Sequence, residues 1–201
     1  HLRMGSDERL ATPVAFMDYP FDGATLGYAY NWGSEALGAG RVRFCYGRGF
    51  EDGLSTNNLN DMDFAGIDWD ILQSGPRFLN LQAFEAFNLV NTPDGINYPN
   101  PLELAGITAG NGILDKAQLG NIYHTSTVYM DKVSNLNYFV TAGWSRTDPQ
   151  GYDEAGNSLL GSWWAPLEEQ DGYSLYAGIR YDIDDLRLKL GAEYNWGSEY
   201  W

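Results

Sequence analysis

The stretch Tyr173-Ser174-Leu175-Tyr176-Ala177-Gly178-Ile179-Arg180-Tyr181, the connection Ile183-Asp184-Asp185, and then Leu186-Arg187-Leu188-Lys189-Leu190-Gly191-Ala192-Glu193-Tyr194-Asn195-Trp196 decide the fold. In the first run Tyr173, Leu175, Ala177, Ile179 and Tyr181 share one parity, and Ser174, Tyr176, Gly178 and Arg180 the other. In the second, Leu186, Leu188, Leu190, Ala192, Tyr194 and Trp196 alternate with Arg187, Lys189, Gly191, Glu193 and Asn195. Successive Cβ atoms of a strand point to opposite faces, so a period of two marks strands with two chemically distinct sides. A three-residue turn, Ile183–Asp185, makes the pair a hairpin.

Working outward, Leu136–Arg146 has the same alternation, with Leu136, Tyr138, Val140, Ala142 and Trp144 on one side. Weaker patterns place strands near Thr25–Trp32, Arg41–Arg48, Met62–Leu72, Phe78–Val90 and Asn121–Lys132, with Val14–Asp18 as a further one or the end of one. The connections Val133–Asn135 and Ile183–Asp185 are tight. Residues 91–120, with a helical turn at Leu102–Ala105, and 148–172 are long loops.

A soluble sandwich alternates too, but three features favour a membrane barrel. The aromatics Tyr138, Trp144, Tyr173, Tyr181, Tyr194 and Trp196 lie toward the ends of the apolar face, as interfacial girdles do. Tyr173 and Tyr181 are eight residues apart, or about 27 Å along a strand. A strand tilted about 40° brings that to roughly 20 Å in height, against an apolar band of about 25 Å. Short connections alternate with long ones, and the strands exceed the usual globular length. The expectation is an all-β fold: an antiparallel transmembrane β-barrel with short periplasmic turns and long extracellular loops, one domain or part of one over residues 1–201.

Composition bounds the function. The chain has 201 residues, with 12 basic against 27 acidic side chains, hence a net charge of −15. Nucleic acid is therefore not an expected partner, since phosphate binding needs clustered Lys and Arg. No apolar run approaches the ~20 residues of a membrane helix. Aromatics at 15 % and 24 glycines suit a β protein with many turns. The single Cys45 excludes an intrachain disulfide. The chain begins at His1 with no signal peptide. Trp201 has the parity opposite to the lipid-facing set ending in Ser198 and Tyr200, unlike barrels that finish on an outward aromatic. Both features lead us to expect a segment of a larger barrel.

One motif occurs twice. Leu26-Gly27 with Tyr30-Asn31-Trp32-Gly33-Ser34-Glu35 matches Leu190-Gly191 with Tyr194-Asn195-Trp196-Gly197-Ser198-Glu199 in the same register. Counting strand directions puts the copies at opposite membrane faces, which leaves the N-terminal strand count open.

Four stretches carry a family resemblance: Thr12-Pro13-Val14-Ala15-Phe16-Met17-Asp18, Arg41-Val42-Arg43-Phe44-Cys45-Tyr46-Gly47-Arg48-Gly49-Phe50, Asp63-Phe64-Ala65-Gly66-Ile67-Asp68-Trp69-Asp70, and Gly191 to Trp201. Together they resemble a family of uncharacterised porin-like outer-membrane proteins of Gram-negative bacteria. The resemblance implies the barrel fold and the outer membrane, and it brings no reaction and no catalytic residues.

Inward-facing charges are the first candidate site. Arg180, Arg187, Lys189 and Glu193 share the polar parity of adjacent strands, and Arg41 and Arg43 point to one side of another. Charged rings in a pore set ion preference, so these are candidate pore-lining residues for anionic solutes; cross-bracing of the lumen is the competing role. Asp61, Asp63, Asp68 and Asp70 are a weak metal candidate lacking the EF-hand spacing. With His1 and His124 the only histidines, no triad or histidine metal set is available. No nucleophile-elbow, P-loop or dinucleotide motif occurs, and no cofactor is expected. Cys45 reads as a small packed residue. Trp163-Trp164 could stack a sugar or pack a loop on the rim.

The expected function is passive diffusion of small solutes or ions through an outer-membrane barrel, or a barrel housing for a partner protein, without enzymatic activity. Its partners are the bilayer, the solutes, and a second copy or another outer-membrane protein. A soluble carbohydrate-binding or hydrolytic β protein is the alternative.

Overall fold

A computed structural model describes residues 22–50, 61–90, 118–152, 156–162 and 164–201. The strands are β1 (Asp22–Asn31), β2 (Ala39–Phe50), β3 (Met62–Ser74), β4 (Arg77–Val90), β5 (Gln118–Val133), β6 (Leu136–Pro149), β7 (Asn157–Ser158), β8 (Gly161–Ser162), β9 (Gln170–Ile183) and β10 (Leu188–Gly197). Eight form one antiparallel sheet in the order β1-β2-β3-β4-β5-β6-β9-β10, and β7 and β8 make a separate small hairpin. β1 and β10 are not paired with each other, so these strands form an open sheet, not a closed barrel. No helix among the described residues is long and apolar enough to cross a membrane.

Each strand expected from Thr25 onward is present and most run longer than expected. Val14–Asp18 and Leu102–Ala105 lie outside the described residues. One boundary is corrected. Asp184–Leu186 is a 3₁₀ turn, and Arg187 closes it in the left-handed region (φ 51) with its N–H on the Asp184 carbonyl at 3.1 Å. Leu186 and Arg187 thus leave the strand, and β10 begins at Leu188. The turns at 32–38, 75–76, 134–135 and 184–187 lie at one end of the sheet, and the strand ends at Phe50 and Met62, Val90 and Gln118, and Pro149 and Gln170, which the long connections join, at the other.

Residues paired across neighbouring antiparallel strands share a face, so the register sorts every side chain. One row reads Leu26, Phe44, Ile67, Ala83, Thr125, Trp144, Tyr173 from β1 to β9. The adjacent row on the other face reads Gly27, Arg43, Asp68, Gln82, Ser126, Gly143, Ser174, Gly197. Leu26 is 75 % exposed and Phe44 53 %, whereas Asp68 is 1 % exposed and Gln82 0 %. The usual soluble arrangement is reversed: apolar side chains stand in the open and the mid-sheet polar ones are sealed. We call these the outer and inner faces. The inner face also holds two apolar clusters that flank its polar belt: Phe78, Val128, Met130, Phe139 and Tyr176, and Cys45, Phe64 and Phe84 with Ala86.

Candidate functional site

The inner-face belt is a connected hydrogen-bond network. Asp68 and Asp70 sit two apart on β3, so both carboxylates point inward. Asn80 Nδ2 donates to Asp68 Oδ1 at 2.8 Å and to Asp70 Oδ1 at 2.9 Å. Gln82 Nε2 donates to Asp68 Oδ1 at 3.1 Å. Arg43 caps Asp68 on its other oxygen, and Arg41 Nη2 reaches Asp70 Oδ2 at 2.7 Å. Two guanidiniums therefore balance two carboxylates, which burial would otherwise make very costly.

The four aspartates singled out by sequence are divided. Asp68 and Asp70 belong to the belt. Asp61 and Asp63 lie near the long-connection end, both on Arg48, at 2.7 and 3.0 Å. Among the described residues no group of three or more His, Cys, Asp or Glu side chains could hold a metal ion.

The basic candidates also separate. Arg41 and Arg43 are on β2. Arg180, Lys189 and Glu193 are on the inner parity of β9 and β10. Arg180 Nε donates to Asp182 Oδ1 at 2.8 Å, and Glu193 accepts from the Tyr176 hydroxyl at 2.8 Å. Arg187 is not in their row, because it caps the 3₁₀ turn. Across these strands the cations form two groups, and Arg41, Arg43 and Arg180 are each bound to an aspartate. Arg41 and Arg43 tie β2 to β3, and Arg180 is tied within β9.

All six expected interfacial aromatics, Tyr138, Trp144, Tyr173, Tyr181, Tyr194 and Trp196, lie on the outer face. The register adds Tyr28, Tyr46, Trp69, Tyr123 and Tyr129 to it. The alternation Leu26-Tyr28-Tyr30 and Val42-Phe44-Tyr46 was the signal for the first of these. Most of these aromatics fall into two bands. Near the long connections Tyr46 and Tyr123 share one row, Trp144 and Tyr173 the next, and Trp196 the one after. Near the short turns Tyr28 and Trp69 share a row, and Tyr129, Tyr138 and Tyr181 each sit one row further on. Both bands slide in the same sense from β1 toward β10. Level bands on tilted strands must cross the register in this way. On β5 and β6 the bands are six residues apart and on β9 eight, or about 20–27 Å along the strands.

Of the remaining candidates, Cys45 is buried in the cluster with Phe64 and Phe84. His124 is on the inner face, 4.9 Å from Phe84 and 5.2 Å from Trp201 between ring centroids. Trp164 is 70 % exposed, and Trp163 lies outside the described residues. The repeated motif does sit at opposite ends of the sheet: Trp32 Nε1 bonds the Ile71 carbonyl at 2.7 Å beside a short turn, while Ser198 bonds Tyr173 at the long-connection end.

Compared with known proteins, residues 1–201 match the model of a family described as "Protein of unknown function (DUF3373)". No curated protein and no solved structure matches the chain.

Proposed function

The chain belongs to the DUF3373 family, whose description carries no activity, and from the geometry we propose that it forms part of the wall of an outer-membrane β-barrel, porin-like, along whose inner face small solutes or ions diffuse passively. The observation that carries this reading is the pair of sliding aromatic bands on an exposed apolar face. A water-facing sheet has no reason to display Leu26, Ile67, Val140, Leu175, Ile179 and Leu190 between two rows of Tyr and Trp. A lipid-facing sheet requires it. The alternative soluble carbohydrate-binding or hydrolytic protein would need a cover for that whole face.

The test is extraction and conductance. The protein is expected to stay with the membrane through high salt, to need detergent for release, and to give ohmic steps in planar bilayers. Release as a soluble monomer without detergent would sink the reading.

A second reading has its own support. Asp68, Asn80 and Gln82 are at most 1 % exposed, and apolar clusters flank them, which favours a barrel whose interior is filled and which houses a partner or serves as a scaffold. Membrane-inserted protein that passes no current would select it over the channel.

A further inference from the structure

β10 ends at Gly197, and the chain then turns inward. The Ser198 N–H donates to the Tyr173 carbonyl at 2.9 Å, and its Oγ accepts the Tyr173 N–H at 2.9 Å. The Trp201 N–H closes the turn on the Ser198 carbonyl at 3.2 Å. This carries the Trp201 indole onto the inner face, the side its parity indicated.

The indole has a seat built of glycine. Gly143, Ser174 and Gly197 form one cross-strand row. A Cβ on Gly197 would stand 3.2 Å from Trp201 Cδ1, and one on Gly143 would overlap the far end of the six-membered ring. The ring therefore spans the row from β10 to β6 in space that any other residue would fill. It is not sealed there, since Trp201 remains 37 % exposed.

The surroundings are polar and reachable. Ser145 and Ser174 are half-buried on this face, and Asn195, in the row next to that of Ser174, is exposed. His124 flanks the indole and continues through Phe84 to Phe64 as a run of rings. An accessible aromatic beside hydroxyl, amide and imidazole groups suits a ligand with an apolar face and a polar edge. We propose that Trp201, with Ser145, Ser174, Asn195 and His124, forms a binding subsite for a neutral carbohydrate.

Other chemistries fit less well. An anion would find Arg41, Arg43 and Arg180 of this face each held by an aspartate. A purely apolar ligand would strand the serines and the amide. A hexose offers C–H groups to the indole and hydroxyls to the rest. The inference deepens the channel reading by naming a solute class, and it rests on that reading only for access to the inner face.

The test separates binding from transport. The full chain in detergent micelles is titrated with maltotriose by calorimetry and saturation-transfer NMR. Binding with a Kd of about 1 mM is expected, weakened at least ~10-fold in Trp201→Ala and ~3-fold in Asn195→Ala. Gly143→Val, which pushes the indole off its seat, is expected to match Trp201→Ala, and Trp201→Phe to recover part of the affinity. Thermal melting identifies any variant that fails to fold, and Asn195→Ala and Trp201→Phe then carry the test. No binding by the wild type, or binding indifferent to these variants, overturns the subsite. Protein that binds maltotriose but passes no current keeps the subsite and loses the channel. Current that maltotriose does not block, with no binding, loses the subsite and keeps the channel.

Discussion

Asn80 bridges Asp68 and Asp70 with a single amide nitrogen, at 2.8 and 2.9 Å, on a face where Asp68 and Asn80 are each 1 % exposed. Arg43 and Arg41 supply the counter-charges to these two neighbouring carboxylates. Removing Arg43 alone, as Arg43→Met, leaves Asp68 buried without its counter-charge and is expected to cost about 3–5 kcal/mol in urea unfolding from vesicles. Arg43→Met with Asp68→Leu should recover most of that loss. A double variant no more stable than the single one would show that the pair is not the cause.

The outer face gives a different discriminator. Val140, 42 % exposed, lies between the aromatic bands on β6. In water Val140→Lys would be close to neutral. In a bilayer, an outward Lys near the midplane is expected to cost about 2–4 kcal/mol of folding into vesicles. Unchanged folding equilibria would count against lipid contact at this position.

At the long-connection rim, Arg146 grips Asp171 with two hydrogen bonds, at 2.9 and 3.0 Å, and Trp144 Nε1 shares Asp171 Oδ1 at 2.9 Å. These groups are solvated, so Arg146→Gln is expected to have a small effect that shrinks as salt rises. Melting temperatures of both proteins across a salt series measure it. A large, salt-independent loss would mean that the rim is buried by something else.

The turn between β3 and β4 requires a left-handed backbone, since Gly75 has φ 55. Gly75→Val places a β-branched residue there, and a loss of about 1–2 kcal/mol is expected. Gly75→Asn, which tolerates the conformation, should lose less; equal losses would assign the cost to something other than φ.

The strands were legible because alternation is a local property. Tyr173–Tyr181 and Leu136–Trp144 announce both the strand and its two faces. The turn at Asp184 was not, because the Leu186-Leu188-Leu190 alternation runs on through residues that have already left the sheet. The belt was half legible. Asp68 and Asp70 stand out in an apolar run, but Asn80 and Gln82 are ordinary polar positions until the β3–β4 register sets them opposite those carboxylates. The sliding of the aromatic bands is likewise invisible in one dimension, since it exists only between strands. Trp201 gave a parity and no destination; Ser198 and the glycine row supply that.

The two edges of the described sheet set an arithmetic constraint on any barrel it joins. β1 runs toward the short turns and β10 runs away from them, so the edges are antiparallel to each other. Each presents a row of backbone N–H and C=O groups that hydrocarbon does not tolerate unpaired. If antiparallel strands close the gap, their number must be even, zero included, because an odd number would force one parallel pairing. Should the sheet close into a ring, the direction of two edge strands thus fixes its parity without fixing its size.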